Sequence, residues 1–581
     1  MLDRIDILKR GLCSGGRVGL SYVLSLLFYA SSFATPGPDS TLLLVNLQSD
    51  ESLQIADHYQ AARLVIPTSR CEVSVSPVDE VDHEAFYDQV IEPLQACLAP
   101  ISHRIEALVL TRGFPVRVRV ELPPEMNAPA LTLSSAGLLT VARSTLNTVS
   151  LAHPSYGLLF AELISCAGFG PCWSPLIENP WRAGSFSPRW FEFNQGIAWA
   201  PMWVSRLDGY SVESVLELID RAVQSDGQRN QGGAFFLMRG ANSPRAILDQ
   251  EFPQLASSLT EEGVPVEQVD FSVDWYQQVP IAGFVTGSEQ LGLTIESNTY
   301  TRGSIIDNLT SFGAHPQNFT RGSEVQVSIA RWLEQGVGGA HGTTDEPLNY
   351  AFPSRAVLLD YVRGATLVEA FSRHLPYLGW QNLIVGDPMM APYMQRPSIE
   401  VEWDGSGQAR LSASPPADQA LQEFSVWRDS ELIEVTNASS LSLCSPEAAQ
   451  VLAIAQTRPL GGEVEERGWG GGFVRGYAKG WALLDLPPCS PDESLDEGLP
   501  VDMGGELEPS PDARVDPFDP STPDTDQGLS ESPADDPSPA PRRAGGEGCQ
   551  QRVTHPAGWT LVIGLIYSLA RRRRRRVVRA G

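Results

Sequence analysis

The sequence predicts an α/β domain built on a doubly wound, mostly parallel sheet, followed by a small β-sandwich and an acidic stalk. Three observations predict this. Between Thr41 and Gln395, short apolar runs alternate with amphipathic stretches, the pattern of strands joined by crossover helices. From Ser398 to Pro488 the runs become short and alternating, with turn residues between them, as in sandwiches of immunoglobulin or fibronectin type. From 489 to 548 Pro, Asp, Glu, Ser and Gly dominate and aromatics nearly vanish. Such a segment buries too little apolar surface to offset its ordering entropy and is expected to be disordered and extended.

In chain order, the expected strands of the first domain are Thr41–Asn46, Glu72–Ser76, Ala107–Thr111, Ile197–Leu207, Gly233–Arg239, Val264–Asp270, Ile281–Thr286 and Val337–Thr343. The expected helices are Glu51–Val65, His83–Leu98, Val212–Gln224, Arg245–Thr260, Glu324–Gln335 and Val357–Leu375. In the third of these Leu216, Ile219 and Val223 recur at helical spacing, with Ser211 as cap and Ser214 in the first turn. Residues 112–195 are Pro-rich, aromatic and irregular, and read as a long insertion or cap. The sandwich strands are Ser398–Trp403, Ala409–Ala413, Glu423–Arg428, Glu431–Val435 and Gln450–Gln456.

The two ends read as an address. Lys9, Arg10 and Arg17 precede the apolar run Val18 to Ala30, and Ser32-Phe33-Ala34 offers small residues for cleavage. This is a signal peptide over residues 1–34; the alternative is an uncleaved anchor helix, for which the run is short. At the other end come Gly548-Cys549, Trp559, an apolar run to Ala570 and six arginines, Arg571 to Arg576. Residues 549–581, with their short hydrophobic helix and Arg cluster, resemble the myxobacterial-type C-terminal sorting tail. That resemblance implies removal of the tail by a membrane-embedded protease and attachment through Cys549. A simple tail anchor is the alternative, with the arginines cytoplasmic. The expected location is the cell surface or outer envelope, and the expected partners are the membrane, the export and sorting machinery and an extracellular ligand.

The net charge of −28 comes largely from the 489–548 linker, and no basic patch precedes the terminal arginines. Nucleic acid is therefore not an expected partner. Eight cysteines include Cys13, which leaves with the signal peptide. In an exported chain, disulfides are the default. Neighbours in sequence suggest Cys71–Cys97, Cys166–Cys172 and Cys444–Cys489, with Cys549 left unpaired, although six cysteines allow 15 arrangements. None has zinc-site spacing, so no metal is expected. GxGxxG, Walker, GxSxG and HExxH patterns are absent, and no cofactor is expected.

Ligands of a doubly wound sheet gather at the carboxyl ends of its strands. The residues there include Arg112, Arg206, Asp208 and Arg239, a mixture suited to a polar pocket, and the stretches Thr286 to Glu289 and Thr343 to Glu346. Arg206 and Asp208 can equally pair with one another or cap the next helix.

Leu108–Pro115, Ser205–Gly209, Leu309–Gly313, Gly338–Pro347 and Leu375–Pro388 together resemble an uncharacterised family of exported bacterial proteins, frequent in organisms that carry this sorting tail. The last segment, ending in Gly386-Asp387-Pro388, also looks like the end of gingipain-type cysteine peptidases, which have a caspase-like α/β fold. That second resemblance implies a His after one strand and a Cys after the next, since the thiolate attacks and the imidazole handles the proton. Here no cysteine lies between Cys172 and Cys444. The strand end near Leu309–Gly313 offers Thr310 and Ser311 instead, and Ile281–Thr286 runs into Gly287-Ser288 without a histidine. His341-Gly342 mimics a catalytic pair on the wrong strand. The dyad is missing, and the leading expectation is a binding or scaffold domain. The alternatives are a hydrolase using Ser288, Thr310 or Ser311 with His315 or His341, and a structural envelope or adhesion protein. Glu346 and Glu369 are weaker acid–base candidates; Asp387, Tyr377 and Trp380 read as structural.

Overall fold

In the computed structural model the described residues are 35–488, other than 121–130, 141, 143–176, 179–190, 193–197, 200, 230, 404–407, 446, 461–476 and 487. The expected signal peptide, the expected Cys166–Cys172 pair, Cys489, and the expected linker and tail with Cys549 lie outside them. All described residues belong to one compact unit, Met1–Gly498.

A ten-stranded sheet forms its centre. The strands are β1 (Thr41–Asn46), β2 (Arg70–Val73), β3 (Ala107–Thr111), β4 (Trp203–Leu207), β5 (Ala234–Met238), β6 (Val266–Val269), β7 (Ile281–Thr286), β8 (Tyr300–Asn308), β9 (Gly339–Thr343) and β10 (Asn382–Gly386). They lie in the order β6-β5-β7-β8-β9-β10-β4-β3-β1-β2. Every neighbouring pair is parallel except β9 with β10, which are antiparallel. The sheet is mostly parallel, as expected, but consists of two parallel halves running in opposite directions. The chain leaves β1, β3, β4 and β10 at one edge of the sheet, here the first edge. It leaves β5, β7, β8 and β9 at the other, the second edge.

The strands are legible because both faces are covered, so their apolar runs are continuous rather than alternating. In β1, Leu42 and Leu44 enter one core, while Leu43 and Val45 meet Ile55 and Tyr59 of helix α1 (Asp50–Arg63) and Val215 and Ile219 of α2 (Val212–Ser225). The Ser211 cap of α2 forms as a full capping box with Ser214. Two strands were not among those expected. β8 carries Gly303 and several polar residues, and β10 is a five-residue run inside a turn-rich segment.

Helices differ where backbone chemistry interrupts them. The stretch Val357–Leu375 divides into α5 (Val357–Val362) and α6 (Leu367–His374). Gly364 between them has φ +106°, a left-handed conformation that ends a helix; Thr366 then opens a new capping box with Glu369. Arg245–Thr260 shortens to α3 (Phe252–Glu261), with Pro253 in its first turn, since proline is tolerated there and not in the interior. Glu324–Gln335 shortens to α4 (Ile329–Glu334), capped by Ser328. Most of the stretch 112–195, expected as an irregular insertion or cap, lies outside the described residues. Arg117–Val120 pairs with Leu131–Ser134, and the short helix Ser135–Leu139 puts Ala136, Leu138 and Leu139 into the main core.

Seven strands follow in a three-stranded and a four-stranded antiparallel sheet. Their inner faces pack Leu411, Phe424, Val426, Val451 and Leu486. Two of the strands, Ser440–Leu443 and Ala478–Leu486, go beyond the five expected. The sandwich is fastened to the sheet domain: Lys479 Nζ sits 2.9 Å from both carboxylate oxygens of Asp39, and Arg396 stacks over Trp481 at 4.5 Å. A disulfide joins Cys71 of β2 to Cys97. Cys444 is also disulfide-bonded, and its neighbour Ser445 bridges to Pro488, beside Cys489.

Candidate functional site

The place where the two halves meet holds the densest buried chemistry of the described residues. Parallel register sets Asp307 of β8 beside His341 of β9, and β10 flanks β9 on its other side. His341 Nδ1 lies 2.6 Å from Asp307 Oδ1, and its Nε2 lies 2.9 Å from Asn382 Oδ1. Arg355 donates to the second Asp307 oxygen and, at 2.7 Å, to the carbonyl of Thr286 at the end of β7. Phe371 stacks on the imidazole at 5.9 Å and Phe352 meets it edge-on at 5.6 Å. His341, Arg355 and Asp307 are all essentially inaccessible. Burial in so apolar a setting is tolerated because each charge has a partner. The network ties β7, β8, β9 and β10 to the segment before α5.

The candidate nucleophiles lie on the same second edge, and Ser288 and Thr310 are committed elsewhere. Ser288 Oγ donates to the Gln290 carbonyl at 2.5 Å and accepts from the Gln290 amide at 3.1 Å, while the Asn308 side chain grips the Ser288 backbone. Thr310 Oγ1 donates to Gln326 Oε1. Ser311 is half-buried in the turn after β8, next to Phe312, whose φ of +66° is left-handed. His315 accepts at Nδ1 from the Gln317 amide at 3.2 Å and so caps a short turn. Burial and then the Arg117 charge push its imidazole below the ordinary histidine value, against the weaker pull of Asp345 and Asp79. Glu346 is exposed. Among the described residues, no hydrogen bond joins Ser288, Thr310 or Ser311 to a histidine.

The polar set Arg112, Arg206, Asp208 and Arg239 does not converge. Strand direction puts the first three at the first edge and Arg239 at the second, where it is exposed and 3.2 Å from Asp270. Arg206 Nε meets Asp208 Oδ2 at 2.6 Å, and Arg112 meets Asp208 Oδ1 at 3.0 Å and Glu51 at 3.0 Å. Arg206 also donates to the Phe114 carbonyl at 2.8 Å, and the Gly209 amide to Asp208 at 2.8 Å. These groups fasten the loops after β3 and β4 to one another.

A second buried network, unforeseen except for Asp387, occupies the first edge. Asp387 accepts from Tyr59 Oη at 2.8 Å, from Arg63 Nε at 2.5 Å and from the Met389 amide at 2.9 Å. Arg63 reaches on to Asp226 at 2.6 Å, which Arg396 joins at 3.3 Å. Burial first, then the Asp387 charge, push the Tyr59 phenol well above its ordinary value. Tyr59, Arg63, Asp226, Asp307, Arg355 and Asn382 carry no spacing signal, because their partners come from distant parts of the chain. Glu369, expected as a helix-face carboxylate, is fully buried; its side chain accepts from the Thr366 amide at 2.8 Å, and burial raises its pKa. The described residues contain no group of three His, Cys, Asp or Glu able to hold a metal ion, and no helix long and apolar enough to cross a membrane.

No family model matches the chain, and no curated protein matches it either. Solved structures similar to parts of it include the Saccharomyces cerevisiae separase–securin complex, at 14% identity and TM-score 0.22 over 36% of this chain. They also include the spore cortex lytic enzyme SleM of Clostridium perfringens, at 10% identity and TM-score 0.13 over 44% of this chain. The matched regions span 15% and 90% of those chains respectively.

Proposed function

We propose that the chain is exported, displayed at the cell surface through its C-terminal tail, and works there by binding rather than by peptide hydrolysis. The observation that carries the second half is His341. His341 is the histidine that mimics a catalytic His-Gly pair in the sequence, yet it is fully buried and both ring nitrogens are engaged, to Asp307 and Asn382. A general base has to reach the proton it removes.

The adjacent parallel strands β7 and β8 support a caspase-like ancestry in which the dyad is absent. One strand ends on Thr286-Gly287-Ser288 and the next on Asn308-Leu309-Thr310. The first would carry the histidine and the second the cysteine in such a peptidase, and neither residue is there. The signal-like N-terminus, the disulfides and the sorting-type tail support export and display.

Incubation of the purified chain with fluorogenic peptide and ester libraries tests the activity. No turnover is expected. Turnover abolished by iodoacetamide would overturn the reading in favour of a cysteine enzyme, and turnover lost in Thr310→Ala would establish a hydroxyl nucleophile. Labelling of intact producing cells with an impermeant biotin reagent tests display, and a chain found wholly in the cytoplasm would sink that half.

A further inference from the structure

The chain carries 42 lysines and arginines, and only two of them are lysines, Lys9 and Lys479. Lys9 lies in the expected signal peptide, so Lys479 is the one lysine from residue 35 onward. It stands on the last strand of the sandwich, Ala478–Leu486. Its amine is 2.9 Å from each carboxylate oxygen of Asp39 and 3.0 Å from Ser40 Oγ. We propose that Lys479 and Asp39 condense to an intramolecular amide, a covalent bond between the start of the sheet domain and the end of the sandwich.

Three observations argue for a bond beyond an ion pair. The first is the choice of residue. Arginine is the better partner for a buried carboxylate, because its planar fork matches both oxygens, and Arg63, Arg206 and Arg355 fill that role elsewhere in this chain. Lysine differs in offering a primary amine, which can give up its proton and act as a nucleophile. The second is placement. The Lys479 side chain is 4% exposed and that of Asp39 is 15% exposed. Nζ is equidistant from the two oxygens, so it faces the carboxyl carbon between them. Asp39 is fixed in a turn that the Ser40 amide closes on the Gly37 carbonyl at 3.1 Å, and Arg104 donates to its own carbonyl. Gly37 leaves room for the lysine stem, since a Cβ there would come within 2.7 Å of Lys479 Cδ. Reactants held in contact in this way react as if at concentrations of about 10⁵–10⁸ M.

The third is a carboxyl group to relay a proton. Glu423 lies opposite Gln456, and Gln456 opposite Lys479, on adjoining antiparallel strands, so the three side chains share one face of the sheet. Partial desolvation raises the Glu423 carboxyl, the Lys479 charge lowers it and the Asp39 charge raises it again, so it feels both partners. The reaction balances without a co-reactant. A proton passes from the ammonium to the carboxylate, Nζ attacks Cγ, and one Cγ–O bond breaks. The leaving oxygen departs as water with two protons that began on the amine, the second relayed by Glu423, and an amide remains. This inference goes beyond the binding reading and does not depend on it.

Mass spectrometry of the purified full chain in denaturant, intact and after reduction and trypsin digestion, tests the bond. The native chain should be lighter than its reduced sequence by one water. Trypsin should leave Lys479 uncut and release one peptide that carries both Asp39 and Lys479. Lys479→Arg, which keeps the ion pair and lacks the amine, should restore the full mass and separate the two peptides. Asp39→Asn should form the same bond with loss of ammonia in place of water. Glu423→Gln should lower the bonded fraction about tenfold or more in chains that still fold. If Lys479→Arg does not fold, the mass and peptide map of the native chain still decide. A native chain of full mass, cut by trypsin at Lys479 and acylated there by an amine reagent in denaturant, would leave an ion pair only and overturn the proposal. A link from Lys479 to any residue other than Asp39 would overturn it too.

Discussion

The two buried polar networks of the sheet differ in how they end. At the first edge every oxygen of Asp387 is filled, by Tyr59, Arg63 and the Met389 amide, and Arg63 has a second carboxylate in Asp226. At the second edge Asp307 is the one carboxylate that the Arg355 guanidinium bonds among the described residues, and the chain of contacts through His341 stops at Asn382, whose Nδ2 is unpaired. The first-edge network works as a staple between α1, the end of β10 and the approach to the sandwich. Neither network is fully hydrogen-bonded among the described residues, since Arg63 Nη2 and Arg396 Nε in the first and Arg355 Nε and Asn382 Nδ2 in the second lack hydrogen-bond partners. What separates them is the second carboxylate that Arg63 has and the Arg355 guanidinium lacks.

The sharpest way to break this comparison is Asp307→Asn. It removes the one carboxylate hydrogen-bonded to the buried Arg355 guanidinium and should cost about 3–5 kcal/mol of stability, measured by denaturant unfolding. Asp387→Asn should cost less, about 2 kcal/mol, because Arg63 keeps Asp226. A larger loss for Asp387→Asn than for Asp307→Asn would show that the first-edge network is not the more redundant one. Tyr59→Phe removes one satisfied bond and should cost about 1 kcal/mol. Trp380→Phe removes a donor that has no partner and should change unfolding stability by less than about 0.5 kcal/mol in the unliganded protein, or increase it slightly. A loss near that of Tyr59→Phe would mean that the indole is paired after all.

The smallest effect concerns pH. Burial raises the Glu369 carboxyl above its ordinary value, so the folded state holds that proton more tightly than the unfolded chain does. The contribution is fully present below the ordinary carboxyl pKa and is lost as pH rises through the raised folded value. Glu369→Gln keeps an acceptor for the Thr366 amide, as a capping box allows, and should remove that downward slope from a plot of Tm against pH. An unchanged slope would assign it to other groups.

The legible parts of the fold are those whose signal is local. Thr41–Asn46, Ala107–Thr111, Ile281–Thr286 and Ser398–Trp403 stand at the bounds their apolar patterns indicate. The Ser211–Ser214 cap of α2 was also readable from spacing alone. β8 was hidden because Tyr300, Thr301, Arg302 and Gly303 open it with residues that do not look like a buried strand. β10 was hidden because five residues between turns give too short a run to separate from a loop. The site was legible in part: His341 and Asp387 stood out through neighbouring Gly residues, but their partners did not. Asp307 is 34 residues from His341, and Tyr59 is 328 from Asp387, and no periodicity spans such distances.

By itself the sequence determined the segmentation of the chain: an α/β region, a region of alternating short strands, an acidic stretch and two address-like ends. Composition and short-range period decide these, because they reflect whether a segment can bury one face, both faces or neither. The tertiary structure alone decided that the sheet reverses between β9 and β10. It therefore also decided that Arg112, Arg206 and Asp208 part company with Arg239, and that His341 is sealed between Asp307 and Asn382. Strand direction and buried charge pairing are settled by hydrogen bonds between residues far apart in the chain, and those depend on which surfaces meet, not on the residues that lie next to each other.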